Sequence, residues 1–78
     1  MTTRCLICET EIVVDDVGPR DATIWTSHGN FGSRVYDPDG SEFLEALICD
    51  QCLLRKKGIL EEVTVIKEER VERRPAPF

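Results

Sequence analysis

Residues 41–58 read SEFLEALICDQCLLRKKG, and their Cys49 and Cys52 form the second of two C-x-x-C pairs. The first pair, Cys5 and Cys8, lies in RCLICETEIVV near the start of the chain. All four cysteines of the 78-residue sequence belong to these pairs. A two-residue spacer lets both thiolates of a pair turn toward one ion, and four soft sulfurs at about 2.3 Å complete a tetrahedral shell. The simplest reading is one structural Zn2+ held by Cys5, Cys8, Cys49 and Cys52.

Other cysteine chemistries fit less well. The opening MTTRCLICETEIVVDD lacks the charged-then-apolar pattern of a signal peptide, and no apolar run approaches the ~18–20 residues of a membrane span. A cytoplasmic protein is expected, in a compartment where structural disulfides are rare. A thioredoxin-like redox site needs one C-x-x-C within a βαβ pattern, not two distant pairs. Iron in a rubredoxin-like site satisfies the same geometry and is the redox alternative. Its knuckles usually carry Gly after the second cysteine, whereas Glu9 follows Cys8 and Leu53 follows Cys52.

The flanks of the second pair admit two local structures. Phe43, Leu44, Leu47 and Ile48 follow helical spacing, so Ser41 could cap one helix running to Lys57. Alternatively a strand from Glu42 to Ile48 leads into the cysteine pair and a short helix. Asp50 then fits the N-cap, Lys56 and Lys57 complement the C-terminal dipole, and Gly58 supplies a left-handed stop. The second reading is favoured, because a helix starting at Asp50 aims free N–H groups at the Cys49 and Cys52 thiolates.

Elsewhere the pattern is that of short strands. Ile12 to Val14 follows the first pair, and Asp15 to Asp21 is a loop around Gly18-Pro19. Ala22 to Ser27 is rich in β-branched and aromatic residues, with Ser33 to Tyr36 as the expected returning strand after a turn at residues 28–33. Glu61 to Ile66 alternates polar and β-branched residues and predicts a final strand. Residues 1–66 thus form a single four-cysteine zinc-binding domain. Residues 67–78, charged and interrupted by Pro75 and Pro77, are expected to be a flexible tail. Trp25, Phe31 and Tyr36 are expected in the core.

A cysteine knuckle, intervening hairpins and a second ligand pair at a helix start resemble the treble-clef zinc fingers. Cys5-Leu6-Ile7-Cys8 looks like the knuckle and Cys49-Asp50-Gln51-Cys52 like the helical pair, over roughly residues 4–58. The resemblance implies a small α+β zinc-stabilised domain; a zinc ribbon, with both pairs on hairpin knuckles, is the rival. The stretch SHGNFGSRVYDPDGSEFLEALICDQC also resembles a group of small prokaryotic proteins with a GN-aromatic-GS turn before an ICD-x-C pair, a resemblance that implies no activity.

Charge and residue inventory bound the function. The formal net charge is -5, and four thiolates around a divalent ion bring it to about -7. That balance opposes generic nucleic-acid binding. A nucleic-acid-associated finger using Arg55, Lys56 and Lys57 therefore stands second to a non-enzymatic protein-interaction module. His28, the single histidine, invites comparison with the catalytic His of treble-clef nucleases, with Asn30 nearby. A four-cysteine shell leaves no open catalytic position, and no orienting partner for His28 is evident. The glycines of Asn30-Phe31-Gly32-Ser33 permit either a tight reversal or an anion nest. Asp37, Asp39 and Glu42 fall short of a calcium loop. The Val63–Ile66 strand, if left at a sheet edge, is a route to a homodimer.

Overall fold

The structure, a computed structural model, describes every residue from Met1 to Phe78. Strand β1 (Thr2–Arg4) pairs antiparallel with β2 (Glu11–Asp15), Thr3 opposite Ile12. In β2 Ile12 is buried and Val14 is partly buried against the core, while Val13 between them is exposed, the two-residue period of a strand with one covered face. The chain then folds back through β3 (Gly18–Pro19), which pairs with Val14 and Asp15. The Asp15 Oδ1 atom shapes this reversal by accepting the N–H groups of Val17 at 3.0 Å and Gly18 at 3.3 Å. Gly18 at φ 129° occupies backbone space closed to other residues.

Strand β4 (Ala22–Ser27) was expected to pair with Ser33–Tyr36, and it does not. Its partner is β5 (Leu44–Cys49), in a register from Ala22 opposite Cys49 to Ser27 opposite Leu44. The segment between them is bonded to itself instead. Asn30 N–H donates to the Tyr36 carbonyl (3.3 Å) and Ser33 N–H to that of Asn30 (2.8 Å). The Ser33 hydroxyl accepts from Val35 and Tyr36 at 3.1 and 3.0 Å. These bonds consume donors that a ladder to β4 would need. Gly29 permits the arrangement: at φ 83°, a Cβ there would stand 2.9 Å from the Tyr36 carbonyl and 2.5 Å from Pro38 Cδ.

Helix α1 (Asp50–Arg55) follows β5 directly, so the strand-then-helix reading holds. Its ends differ in detail from expectation. Cys49, extended at φ -69° and ψ 155°, is the N-cap in place of Asp50, and no side chain caps the helix. The Asp50 N–H instead donates to the Asp21 carbonyl at 2.8 Å, with Asp21 held at φ 52°. Gly58 is not a left-handed stop. The helix ends at Lys56 (φ -98°), and Gly58 sits inside a 3-10 turn, Lys57–Ile59.

The core is Cys5, Ile12, Leu47, Ile48 and Cys52, with Val14, Ala22, Cys49 and Leu53 packed against it. The aromatic core expected of Trp25, Phe31 and Tyr36 is absent. Phe31 is 94% exposed on the self-bonded loop, Trp25 is 38% exposed, and Tyr36 is half-buried. A side chain on a loop closed upon itself has no second layer to enter, whereas Leu47 and Ile48 lie on a paired strand beside the cysteines.

The run after Lys67 also departs from expectation. Arg70–Pro75 forms strand β7 and pairs antiparallel with β6 (Glu61–Lys67), Val65 opposite Val71 and Glu62 opposite Arg74. Charges that read as a solvated tail are cross-strand partners: Arg74 Nε lies 3.1 Å from Glu62 Oε1. Every residue of this hairpin is exposed. The molecule accordingly has a radius of gyration of 14.7 Å, against about 11.5 Å for a compact chain of this length.

Candidate metal centre

Each C-x-x-C pair is presented by a different backbone device. Cys5 directly follows β1 and is bridged to Leu47 of β5, where the Leu6 N–H donates to the Leu47 carbonyl at 2.8 Å. The chain then turns: Glu9 N–H reaches back to the Cys5 carbonyl at 3.0 Å, and Cys5 N–H donates to the Thr10 carbonyl at 2.9 Å. Closing so tight a loop puts Glu9 at φ 62°. This is the left-handed position that Gly fills without strain. Cys49 closes β5 and caps α1, and Cys52 lies one turn along, so β5 and α1 fix the second pair between them.

The four cysteines are thereby brought together. Their sulfurs all lie within 4.8 Å of one another, and Cys8 Sγ stands 3.7 Å from Cys49 Sγ. Four sulfurs at about 2.3 Å from one central ion are about 3.8 Å apart along each tetrahedral edge. The observed spacing matches that edge and far exceeds a disulfide bond of about 2.05 Å; all four are free thiols. The donor set is soft and fits a single Zn2+-sized ion.

The surroundings favour thiolates, but unequally. Cys5 and Cys52 are 2% and 1% exposed, Cys49 is half-buried, and Cys8 faces solvent. The Cys8 and Cys49 N–H groups, helped by that of Ile7, hold the Cys5 thiol down at about 6 despite its burial. The Thr10 side chain lowers Cys8, its hydroxyl lying 3.1 Å from the sulfur. Burial pushes Cys52 up to about 12, and the neighbouring sulfurs add to the shift. Negative charge gathering on the neighbouring sulfurs resists ionisation of Cys52 until a cation offsets it. The Arg55 guanidinium, 3.7 Å from Cys52 Sγ, supplies part of that positive charge. The centre is built to give up protons when a metal ion enters.

The other sequence candidates lie apart from this cluster. His28 is exposed, and its ring packs against Phe43 at a centroid distance of 5.6 Å, tilted by 48°. The Asn30–Ser33 turn spends its Asn30 and Ser33 N–H groups on backbone carbonyls. Sequence reasoning missed two supports of the centre, Thr10 and Arg55 as sulfur partners. Their signal was proximity: Thr10 stands two residues beyond Cys8, and Arg55 three beyond Cys52 on the helix, where i and i+3 share a face. No helix is long and apolar enough to cross a membrane. Comparison with known proteins gave no match to this chain, whether to a family model, a curated protein or a solved structure.

Proposed function

We propose that this chain is a non-enzymatic zinc finger of the cytoplasm, folded around one structural Zn2+ on Cys5, Cys8, Cys49 and Cys52, that presents a surface to another protein. The observation that carries the reading is the sulfur cluster, with its 3.7 Å contact and all four sulfurs within 4.8 Å. Four protein ligands fill a tetrahedral shell and leave no position for water or substrate. A treble-clef arrangement is supported by the asymmetry of the two pairs, one in a tight turn and one straddling the first turn of α1. A ribbon would hold both on hairpins.

The role of partner surface is supported by the loop from His28 to Phe43. Loops of this length without secondary structure are uncommon in small domains and often functional. Here internal hydrogen bonds and Gly29 fix a scaffold from which Phe31 and Val35, each 94% exposed, project into solvent. Ordered, exposed apolar side chains are the usual anchors of protein interfaces. The nucleic-acid reading loses Arg55, whose guanidinium is engaged with Cys52, and meets a net charge of -5.

Elemental analysis of the purified protein is expected to give one zinc per chain and no visible absorbance. Coloured, iron-containing protein, or none of either metal, would sink the reading. For the surface, Phe31→Asp is expected to keep zinc and circular dichroism unchanged while abolishing capture of a specific host protein. Capture unaffected by Phe31→Asp would move the interaction off this loop.

A further inference from the structure

Strand β6, EEVTVIK, is paired along one edge only, by β7. All of its residues are exposed, on both faces. A lone two-stranded ribbon is marginal in water, and an edge strand with a β-branched centre invites a further strand. The two free edges of the hairpin are unequal. That of β7 is guarded by Arg70, Arg73 and Arg74 and by Pro75, which has no N–H to offer. The β6 edge carries no proline and holds Val63, Thr64, Val65 and Ile66 in a row.

We propose that β6 pairs with β6 of a second copy of this chain, antiparallel about a two-fold axis at Thr64, to form a four-stranded sheet flanked by the two β7 strands. In this register three of the four kinds of cross-strand pair are complementary, Glu62 against Ile66 being the exception. Glu61 stands opposite Lys67 of the second copy, Val63 opposite its Val65, and Thr64 opposite Thr64. Opposite charges and β-branched or Thr–Thr pairs directly across a ladder are each favourable. A two-fold axis normal to the sheet keeps each face with itself, so alternative centres shift by whole residues and the paired positions by two. Centring on Val63 sets Lys67 opposite Ile59, and centring on Val65 sets it opposite Val63. Only the Thr64 centre matches the charges.

The hairpin's own register extends the match. Val65 is paired with Val71 and Val63 with Arg73, so the row Val71, Val65 continues into Val63 of the second copy. With its symmetry mate this makes one continuous face of six valines across four strands. The irregularity between Val65 and Lys67 lies outside the Val63–Val65 centre on which the pairing rests. The flexible Lys67 side chain beyond it needs only proximity to Glu61. Area agrees as well. The accessible surface is 6840 Å², about 2000 Å² above that of a compact monomer of this mass. Stable interfaces bury about 1,200–2,000 Å² summed over both partners, about 600–1,000 Å² on each chain, so the excess on one chain is ample for a dimer.

The pairing goes beyond the zinc-finger reading and does not depend on it. Sedimentation velocity of the zinc-loaded protein over a wide concentration range is the test, with zinc content measured on the same samples. The wild type is expected to pass from monomer to dimer and stop there. Thr64→Lys and Thr64→Glu each set a charge against its own copy across the axis, and each is expected to weaken dimerisation at least ~10-fold. Within the hairpin Thr64 faces Glu72 and accepts a 3.4 Å bond from the Arg74 guanidinium. Thr64→Lys gives up that exposed bond and gains the Glu72 charge opposite, so the ribbon is expected to persist. Mixing the two variants in equal amounts is expected to restore the dimer, because each charge then meets its opposite. A wild type that stays monomeric, a ladder of higher oligomers, or a mixture no more dimeric than its components would overturn the proposal. Full zinc in those same samples would show that the finger stands regardless.

Discussion

The half of the molecule that carries the cysteines and the C-terminal hairpin are both small antiparallel structures, yet they are held by different forces. Strands β2 and β5 and helix α1 converge on Cys5, Ile12, Leu47, Ile48 and Cys52, the whole buried core. Strands β6 and β7 bury nothing. Cross-strand pairs hold them, among them Glu62–Arg74 at 3.1 Å and Arg70–Glu72 at 3.7 Å. Exposed pairs of this kind contribute little each. A five-residue core is also slight, but two of its members are thiols aimed at a common point. A four-sulfur cluster able to hold a metal ion thus stands in the first half where the hairpin has neither a ligand site nor a second layer.

Removing the metal is the largest perturbation available to this contrast. Apparent zinc-binding free energies of about 10–16 kcal/mol act as folding free energy where the site exists only in the folded chain. Strong chelation of the zinc-loaded protein is expected to unfold β5 and α1, seen as loss of hydrogen-exchange protection at Leu47, Ile48 and Cys52. Amides of β6 and β7 are expected to change far less, since their partners lie within the hairpin. Equal loss in both regions would mean that the hairpin leans on the metal half after all.

Truncating one apolar side chain in each region is the next largest test. Ile12 is buried between β1 and the core, and Ile12→Ala is expected to destabilise by about 2–4 kcal/mol. Val71 is half-exposed, and Val71→Ala is expected to cost under about 1 kcal/mol at dilute, monomeric concentration. Chemical denaturation of the zinc-loaded variants measures both. Comparable losses would show that the hairpin valines are already covered.

The sequence was legible where chemistry is local. Cysteine spacing declared the cluster, and the apolar LEALIC run before Asp50 declared a strand entering a helix. Long-range pairing was not legible. The partner of β4 lies across a loop whose turn residues imitate a hairpin, and only the closed bonding of Ser33 and the approach of Tyr36 to Gly29 reveal the difference. Strand β7 was hidden for another reason: alternating charges read as solvated until Glu62 and Arg74 are seen opposite one another. The aromatic residues misled because size predicts burial only where a second layer exists to receive them.

A finer test lies within the cysteine turn. Glu9 holds a left-handed conformation at φ 62°, which costs a non-glycine residue about 1–2 kcal/mol. Glycine there adds freedom to the unfolded chain, which returns part of the gain. Glu9→Gly is therefore expected to raise stability by about 0.5–1 kcal/mol and to tighten zinc retention against chelators. No residue of the hairpin is under comparable strain, so the cysteine half alone should respond to such relief. A Glu9→Gly protein less stable than the wild type would mean that the Glu9 side chain contributes contacts beyond its backbone.

The smallest expected effect is at the β2–β3 turn, where charge rather than packing closes the loop. Arg20 Nε lies 2.6 Å from Asp15 Oδ2. That guanidinium, helped by the Val17 N–H, holds the Asp15 carboxyl below its ordinary value. The folded chain therefore keeps Asp15 charged at acidities where the unfolded chain has taken up a proton. Its contribution is complete above the ordinary carboxylate range near ~4 and fades as pH falls through the lowered folded value. Asp15→Asn keeps an oxygen to accept the Val17 N–H but loses the ion pair. A slight drop in melting temperature is expected at neutral pH, vanishing in acid and shrinking with added salt, because the pair is solvent-exposed. Acid also strips metal from the thiolates, so the informative quantity is the difference between variant and wild type at each pH. A difference that persists unchanged into acid would assign the turn's stability to the Asx hydrogen bonds, and not to Arg20.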